Sequence, residues 1–202
     1  MRISDKEDGH TESWSRSWRR HLTLDLWKKS IDLNLRGVIS GIHYALPIML
    51  KQRSGHIVNT SSLLAGIIAP PSQMVYSAIK YAVTGMTACL RYEFFEEGIA
   101  FTNVCPANVA TAIFAGTEVP KEAIPADEAA QIILTGVEKK EEIIIIPEFA
   151  KKVYERLSAN SAFKEMFMLE TARRRNAGWK SGVPYLGVPM DLLAMPDPEG
   201  SL

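Results

Sequence analysis

Of the chain's six tyrosines, only Tyr76 is followed four positions later by a lysine, Lys80. If that stretch is helical, the two side chains share one face and are separated by a rise of about 6 Å. An ammonium so placed favours the phenolate and lowers a phenol pKa that starts near ~10. A phenol tuned toward neutrality is a usable general acid or base. Upstream, Asn59-Thr60-Ser61-Ser62 closes an apolar run. A serine hydroxyl held beside the phenol would hydrogen-bond a substrate oxygen and stabilise charge developing on it. Such a trio suits proton exchange with a carbonyl or an alcohol while hydride moves elsewhere. Taken alone, a half-buried aromatic at a helix start and a solvated lysine account for the pair equally well, so the surrounding elements must decide.

Those elements alternate. From Asp25 to about Lys51, Leu26, Ile31, Leu35, Val38, Ile42 and Leu46 recur at three- to five-residue intervals, a helical pattern that Pro47 should kink near its end. Residues 56–62 read as a short buried strand, and Leu63 to Met74 as a loop containing Pro70-Pro71. A helix from about Tyr76 to Glu97, capped by Gly98, leads to a strand over Ala100–Cys105 that Pro106 stops. Pro125 to about Lys139 is a helix with Asp127 and Glu128 in its first turn, and Ile143–Ile146 a β-branched strand. Helices over about 148–158 and 160–176 follow. Three segments are expected: a disordered tail over 1–21, a catalytic unit over 22–177 and a Gly/Pro-rich tail over 178–202. Strands alternating with helices imply an α/β fold, with a parallel sheet and helices on both faces. Ligands bind such sheets at the carboxyl ends of strands, which directs attention to Thr60–Ser62, Pro106–Thr111 and the residues just after Ile146.

Composition excludes other classes. The chain has 202 residues, 47% of them hydrophobic, and its 23 Lys and Arg balance its 23 Asp and Glu. No net field recruits nucleic acid or an anionic membrane. Trp14 and Trp18 among N-terminal arginines, and Arg173–Arg175, read as a mobile tail and a solvated helix end. Cys89 and Cys105 have neither metal-ligand spacing nor a disulfide framework and read as small buried hydrophobes, so no metal site is expected. No signal-like or membrane-length apolar run is present, since Val38–Leu50 is short and interrupted by His43 and Pro47. A cytoplasmic protein is expected.

The segments DLNLRGVISG, GHIVNTSS, YSAIKYAVTG and NVCPANVAT arrive in order and spacing that resemble the short-chain dehydrogenase/reductase family, from about Thr23 to Pro147. The resemblance implies catalytic roles for Asn34, Ser62, Tyr76 and Lys80. Asn34 would sit at a helix irregularity, its backbone carbonyl holding a water that links Lys80 to solvent. Ser62 is chosen over Ser61 because the family's serine is generally the second of such a pair. The 14 residues from Ser62 to Tyr76 are at the long end of the family's range, so the turn near 63–65 should carry an extra residue. The cofactor implied is NAD or NADP, with Tyr76 and Lys80 contacting it and Pro106, Val109 and Thr111 bordering the nicotinamide. Ala107 stands where the family usually has glycine. The substrate implied is a small alcohol or ketone. The apolar residues Ile67, Ile68, Met74, Val75 and Phe114 are expected to line its pocket and suit a hydrophobic one. Family members commonly form homodimers or higher oligomers through the helices bearing the asparagine and the Tyr-x-x-x-Lys. The stripe Val83, Met86, Leu90 and Phe94 on the latter fits either such an interface or the core.

One family feature is missing. No two of the thirteen glycines are separated by a single residue, so the Thr-Gly-x-x-x-Gly-x-Gly loop that grips the dinucleotide is absent. The expected architecture is therefore a partial Rossmann-like parallel sheet with flanking helices and its first strands missing, which leaves residues 56–60 as an unpaired edge. Two functions are weighed. One is an NAD(P)-dependent oxidoreductase, truncated but with its catalytic residues intact. The other is a catalytically inactive remnant that serves as a dimerisation partner.

Overall fold

The computed structural model describes residues 23–115, 118–181 and 189–194. The expected 1–21 tail and most of the 178–202 tail lie outside them. Thr23 starts the first helix by accepting a hydrogen bond from the Leu26 amide on its hydroxyl. Helix α1 (Leu24–Ile31) then passes through a π-helical segment, Asp32–Arg36, into α2 (Gly37–Gln52). The helix continues through Pro47 to Gln52. Strand β1 (Gly55–Thr60) follows, and then helix α3 (Met74–Glu93), which is two residues longer at its start than its sequence pattern suggests. Gly98, at φ 74°, makes the left-handed turn into β2 (Ile99–Pro106). The short strands β3 (Val109–Ala110) and β4 (Ile124–Pro125) pair with each other, and β4 leads into α4 (Ala126–Glu138). The chain goes on through β5 (Ile143–Ile146), α5 (Glu148–Ala159) and α6 (Ser161–Ser181). Helix α6 runs five residues beyond the sequence expectation, so residues 178–181 are helical rather than part of a tail.

The main sheet is parallel, in the order β1-β2-β5. Strand alternation divides it into two faces. On one, Ile57 of β1 with Ile99 and Phe101 of β2 pack against Ile42 of α2 and Met86, Leu90 and Phe94 of α3. On the other, Val104, Ile144 and Ile146 pack against Ala129 of α4. A third cluster joins Leu63 and Ile68 to α5 and α6 through Ala150, Val153, Leu157, Phe163 and Phe167. Of the stripe Val83, Met86, Leu90 and Phe94, Val83 is fully buried and the other three pack, partly buried, against this core.

Central β2 is buried along nearly its whole length, while β1 alternates and leaves Val58 39% exposed. Strand β1 has β2 as its one neighbour among the described residues, as the unpaired-edge expectation requires. The segment read as a plain loop after Ser62 instead forms a π-type turn, Leu64–Ile68, closed by the Ala69 amide donating to the Leu64 carbonyl at 2.7 Å. A π turn takes up one residue more than an α turn. The turn overlaps residues 63–65, where an extra residue was expected, but extends on to Ile68, and apolar burial of Leu63, Ala65 and Ile68 holds it in place.

Candidate active site

The carboxyl ends of β1 and β2 and the start of α3 surround a cavity of about 330 Å³. Asn34, Ser62, Tyr76, Lys80, Pro106, Val109 and Thr111 all line it. Residues that are 77 positions apart in the chain, from Asn34 to Thr111, are therefore gathered around one space.

Lys80 is held most firmly. It is 8% exposed, and its Nζ donates to the Thr60 carbonyl at 2.9 Å, at the tip of β1. The same nitrogen lies 5.6 Å from the centroid of the Tyr76 ring. Burial lowers the ammonium's pKa, since desolvation penalises the charged form. Burial raises that of the Tyr76 phenol for the same reason, and a side-chain hydrogen bond with Ser62 works against the rise. The expected depression of the phenol by Lys80 is not what this geometry gives: burial dominates, and the offsetting partner is Ser62.

The two adjacent serines have different surroundings. Ser61 is 2% exposed; its Oγ donates to the Lys80 carbonyl at 3.0 Å and lies 2.7 Å from Thr84 Oγ1. Ser62 Oγ accepts from the Ala65 amide at 3.2 Å, which starts the π turn, and it is the serine that meets Tyr76. Gly66 of that turn is packed down on Ser61. A Cβ there would lie 2.2 Å from Ser61 Oγ and 3.2 Å from Thr84 Oγ1, so only glycine lets the turn come this close to α3. Beneath the site, Asn59 donates to Thr87 at 2.8 Å and Asn103 donates to the Thr84 carbonyl at 3.1 Å. These bonds fix the rotation of α3 over β1 and β2. Cys105 is fully buried at the end of β2, and burial pushes its thiol up to about 11 despite donors from Ser62 and Ser61 and the nearby Lys80.

Asn34 sits in the π-helical segment, where its side-chain amide donates back to the Ser30 carbonyl at 3.3 Å. A helix irregularity was expected at this residue and is present. Thr111 Oγ1 accepts from the Ile113 amide at 3.4 Å, so its hydroxyl caps the short helical turn Ala112–Phe114 that closes the cavity. Ala107 is not among the residues with positive φ, and its amide donates to the Ile146 carbonyl at 2.7 Å. A side chain is therefore accommodated there without strain.

The apolar wall differs from expectation. Of Ile67, Ile68, Met74, Val75 and Phe114, only Phe114 lines the cavity, joined by Leu33, Leu64 and Ile113. The π turn rotates Ile67 and Ile68 into the cluster with α5 and α6, Val75 enters the core, and Met74 is 53% exposed. Gln73 also lines the cavity and drew no attention in the sequence, because no motif or spacing marks it. A larger recess of about 510 Å³ lies between α4, β5 and α5, where Lys139, Glu141, Glu148 and Lys151 mix both signs of charge without converging. Among the described residues no cluster of potential metal ligands occurs, and no helix is long and apolar enough to cross a membrane.

Known proteins resemble the chain in both sequence and fold. An uncharacterized oxidoreductase of Listeria monocytogenes is 43% identical over 89 residues, which cover 43% of this chain and 36% of that protein. Across the first curated relatives the chain spans 33–39% of their length. A short-chain dehydrogenase from Sphingobium yanoikuyae, solved in complex with NADPH, superposes with a TM-score of 0.60 at 24% identity, over 82% of this chain and 60% of that one, a likeness of fold. A 3-oxoacyl-[acyl-carrier protein] reductase from Brucella melitensis gives a TM-score of 0.54 at 28% identity, over 62% of this chain and 53% of that one. The sequence model of short chain dehydrogenases matches residues 15–122, more than half of the chain and the part that contains Asn34, Ser62, Tyr76 and Lys80. The chain belongs to the short chain dehydrogenase family.

Proposed function

We propose that the chain carries the proton-transfer centre of an NAD(P)-dependent oxidoreductase that interconverts an alcohol and a carbonyl compound. The observation that carries this reading is the convergence of Ser62, Tyr76 and Lys80 on one cavity, with Ser62 hydrogen-bonded to the phenol. Tyr76 is the general acid/base. Its buried phenol is held above the usual tyrosine range, so at neutral pH it is protonated, the form that gives a proton to a carbonyl oxygen undergoing reduction. Ser62 Oγ orients that oxygen. Lys80, fixed by the Thr60 carbonyl, supplies positive charge beside the ring as the phenolate forms. Asn34, at the π-helical break, would use a backbone carbonyl to hold a water and return the proton from solvent through Lys80.

The cofactor class is a nicotinamide dinucleotide, which when bound supplies or accepts the hydride. The cavity fits its nicotinamide end. Tyr76 and Lys80 would contact that end on one side, and Pro106, Val109 and Thr111 would border it on the other. The pyrophosphate end has no Gly-x-Gly loop in this sequence to receive it. Relatives of known structure were solved with NADPH in one case and NAD in another, which supports the class and leaves both cofactors as candidates.

Titration of the chain with NADH and NADPH, followed by cofactor fluorescence, tests the reading. Saturable binding that is lost in Lys80→Ala is expected. Tyr76→Phe should keep binding while lowering carbonyl turnover by about a hundredfold or more. A folded chain that binds neither cofactor overturns the proposal.

A further inference from the structure

Ser62 meets the phenol, whereas its neighbour Ser61, 2% exposed, meets the helix that carries the phenol. The Ser61 amide donates to the Val104 carbonyl at 2.8 Å, which roots the residue on β2. Its Oγ donates to the Lys80 carbonyl at 3.0 Å and lies 2.7 Å from the Oγ1 of Thr84, one helical turn further along α3. The π turn closes over this hydroxyl from a third side, since a Cβ on Gly66 would lie 2.2 Å from it. Sheet, turn and helix thus meet at one oxygen atom.

The residue before it completes the arrangement. The Thr60 carbonyl accepts from the Lys80 Nζ at 2.9 Å. Two adjacent residues of one strand tip therefore grip the same lysine, one at its ammonium and the other at its backbone. The bond at the ammonium alone would let the helix shift, because a flexible four-carbon stem can follow it. The bond at the backbone alone would fix the helix and leave the ammonium free to swing into water. Together they set both the height of α3 over the strand tip and the place of the charge. Tyr76, one turn earlier on the same helical face, is carried with them. Ser62 leaves the same strand tip, so its distance from the phenol depends on the same seating.

We propose that Ser61 is a positioning residue of the proton-transfer centre, whose hydroxyl seats α3 on the strand tip and thereby holds the Lys80 ammonium at Thr60, beside the Tyr76 ring and away from water. This rests on the oxidoreductase reading of the same cavity. Ser61 acts through Lys80 and takes no part in the proton transfer itself. Loss of its hydroxyl leaves the Lys80 carbonyl and Thr84 Oγ1 short of a partner, and water drawn in between strand tip and helix replaces it. That water also hydrates the ammonium and relieves the penalty that burial places on its charged form.

The test follows the titration of Lys80 by NMR in the full chain, with lysines labelled at Cε and the Lys80 signal identified as the one missing from Lys80→Arg. In the wild-type chain this ammonium should lose its proton below the ordinary lysine range. Ser61→Ala should move it upward, toward that range. Thr84→Val, which removes the hydroxyl beside Ser61 and keeps the shape, should move it in the same direction by less. Thr84→Ser keeps the hydroxyl and should leave Lys80 where it is. Circular dichroism checks that each variant folds. If Ser61 only fills the core, Ser61→Ala lowers the melting temperature without moving Lys80. An unmoved Lys80 in Ser61→Ala therefore overturns the assignment, as does one unmoved in Thr84→Val should Ser61→Ala not fold. A shift in Thr84→Ser equal to that in Thr84→Val, or an ordinary Lys80 in the wild-type chain, overturns it too. The titration needs no cofactor. Cofactor binding with Lys80 unmoved in Ser61→Ala sinks the Ser61 assignment alone. A Lys80 that depends on Ser61 in a folded chain that binds neither NADH nor NADPH sinks the oxidoreductase reading and leaves Ser61 as the residue that positions Lys80.

Discussion

The wall of the cavity that bears Ser62 rests on the C-terminal helices, whereas the wall that bears Asn34 has little beneath it among the described residues. Directly after Ser62, Leu63 and Ile68 are buried in one cluster with Ala150, Val153 and Leu157 of α5 and Phe163 and Phe167 of α6. On the other side, the π-helical segment has no buried residue, and α2 buries Ile42 alone. Ile39, Tyr44 and Ile48 of α2 are 46%, 74% and 58% exposed. Buried core packing thus underlies the Ser62–Tyr76–Lys80 geometry, while the segment that bears Asn34 contributes no fully buried residue of its own. Helix α2 carries exposed apolar side chains on more than one side.

The largest effect should come from the firm wall. Phe163 packs fully buried against Phe167, with ring centroids 6.3 Å apart, and beneath the Arg156 guanidinium at 3.7 Å. Phe163→Ala should destabilise the fold by about 3–5 kcal/mol in urea denaturation. If the cost is under about 1 kcal/mol, the C-terminal cluster does not support Ser62 as described.

A smaller effect concerns pH. The Cys105 thiol, which neighbours both serines, is raised by burial from 9.0 to about 11. Between those values the folded chain holds a proton that the unfolded chain has released, so stability is full below pH 9 and falls as pH rises toward 11. The loss is on the order of 2 kcal/mol. Cys105→Ala should flatten that part of the stability–pH profile, at the cost of a small cavity at all pH values. An unchanged slope would mean that the thiol is not buried as described.

The smallest effect belongs to the open wall. Ile48→Ala on α2 should change stability by no more than about 0.5 kcal/mol, as at other exposed positions. A loss above about 1 kcal/mol would show that the outer face of α2 is covered in solution, which would erase the contrast between the walls.

Much of this was legible in the chain itself. Periodicity located every long helix to within a few residues, and β-branched runs marked β1, β2 and β5. The strand-end rule pointed to Thr60–Ser62 and Pro106–Thr111, which supply cavity residues, and to the residues just after Ile146, which do not line it. These signals are local, since they follow from which faces of an element must leave water. The π turn after Ser62 was less visible: its sequence reads as a loop, and only the burial of Leu63, Ala65 and Ile68 makes it helical. The apolar lining was misjudged for the same reason, because one extra residue in a turn swings Ile67 and Ile68 from the cavity into the core.

The sequence by itself determined the alternation of strands and helices, the Tyr76–Lys80 spacing on one helical face, and the charge balance that leaves no field for polyanions. The tertiary structure decided which serine meets the phenol and that burial and not Lys80 governs the Tyr76 proton. The physical reason is that periodicity records only whether a side chain must be buried. Which groups it meets there depends on how elements far apart in the chain dock, and desolvation and hydrogen bonding act only once they have.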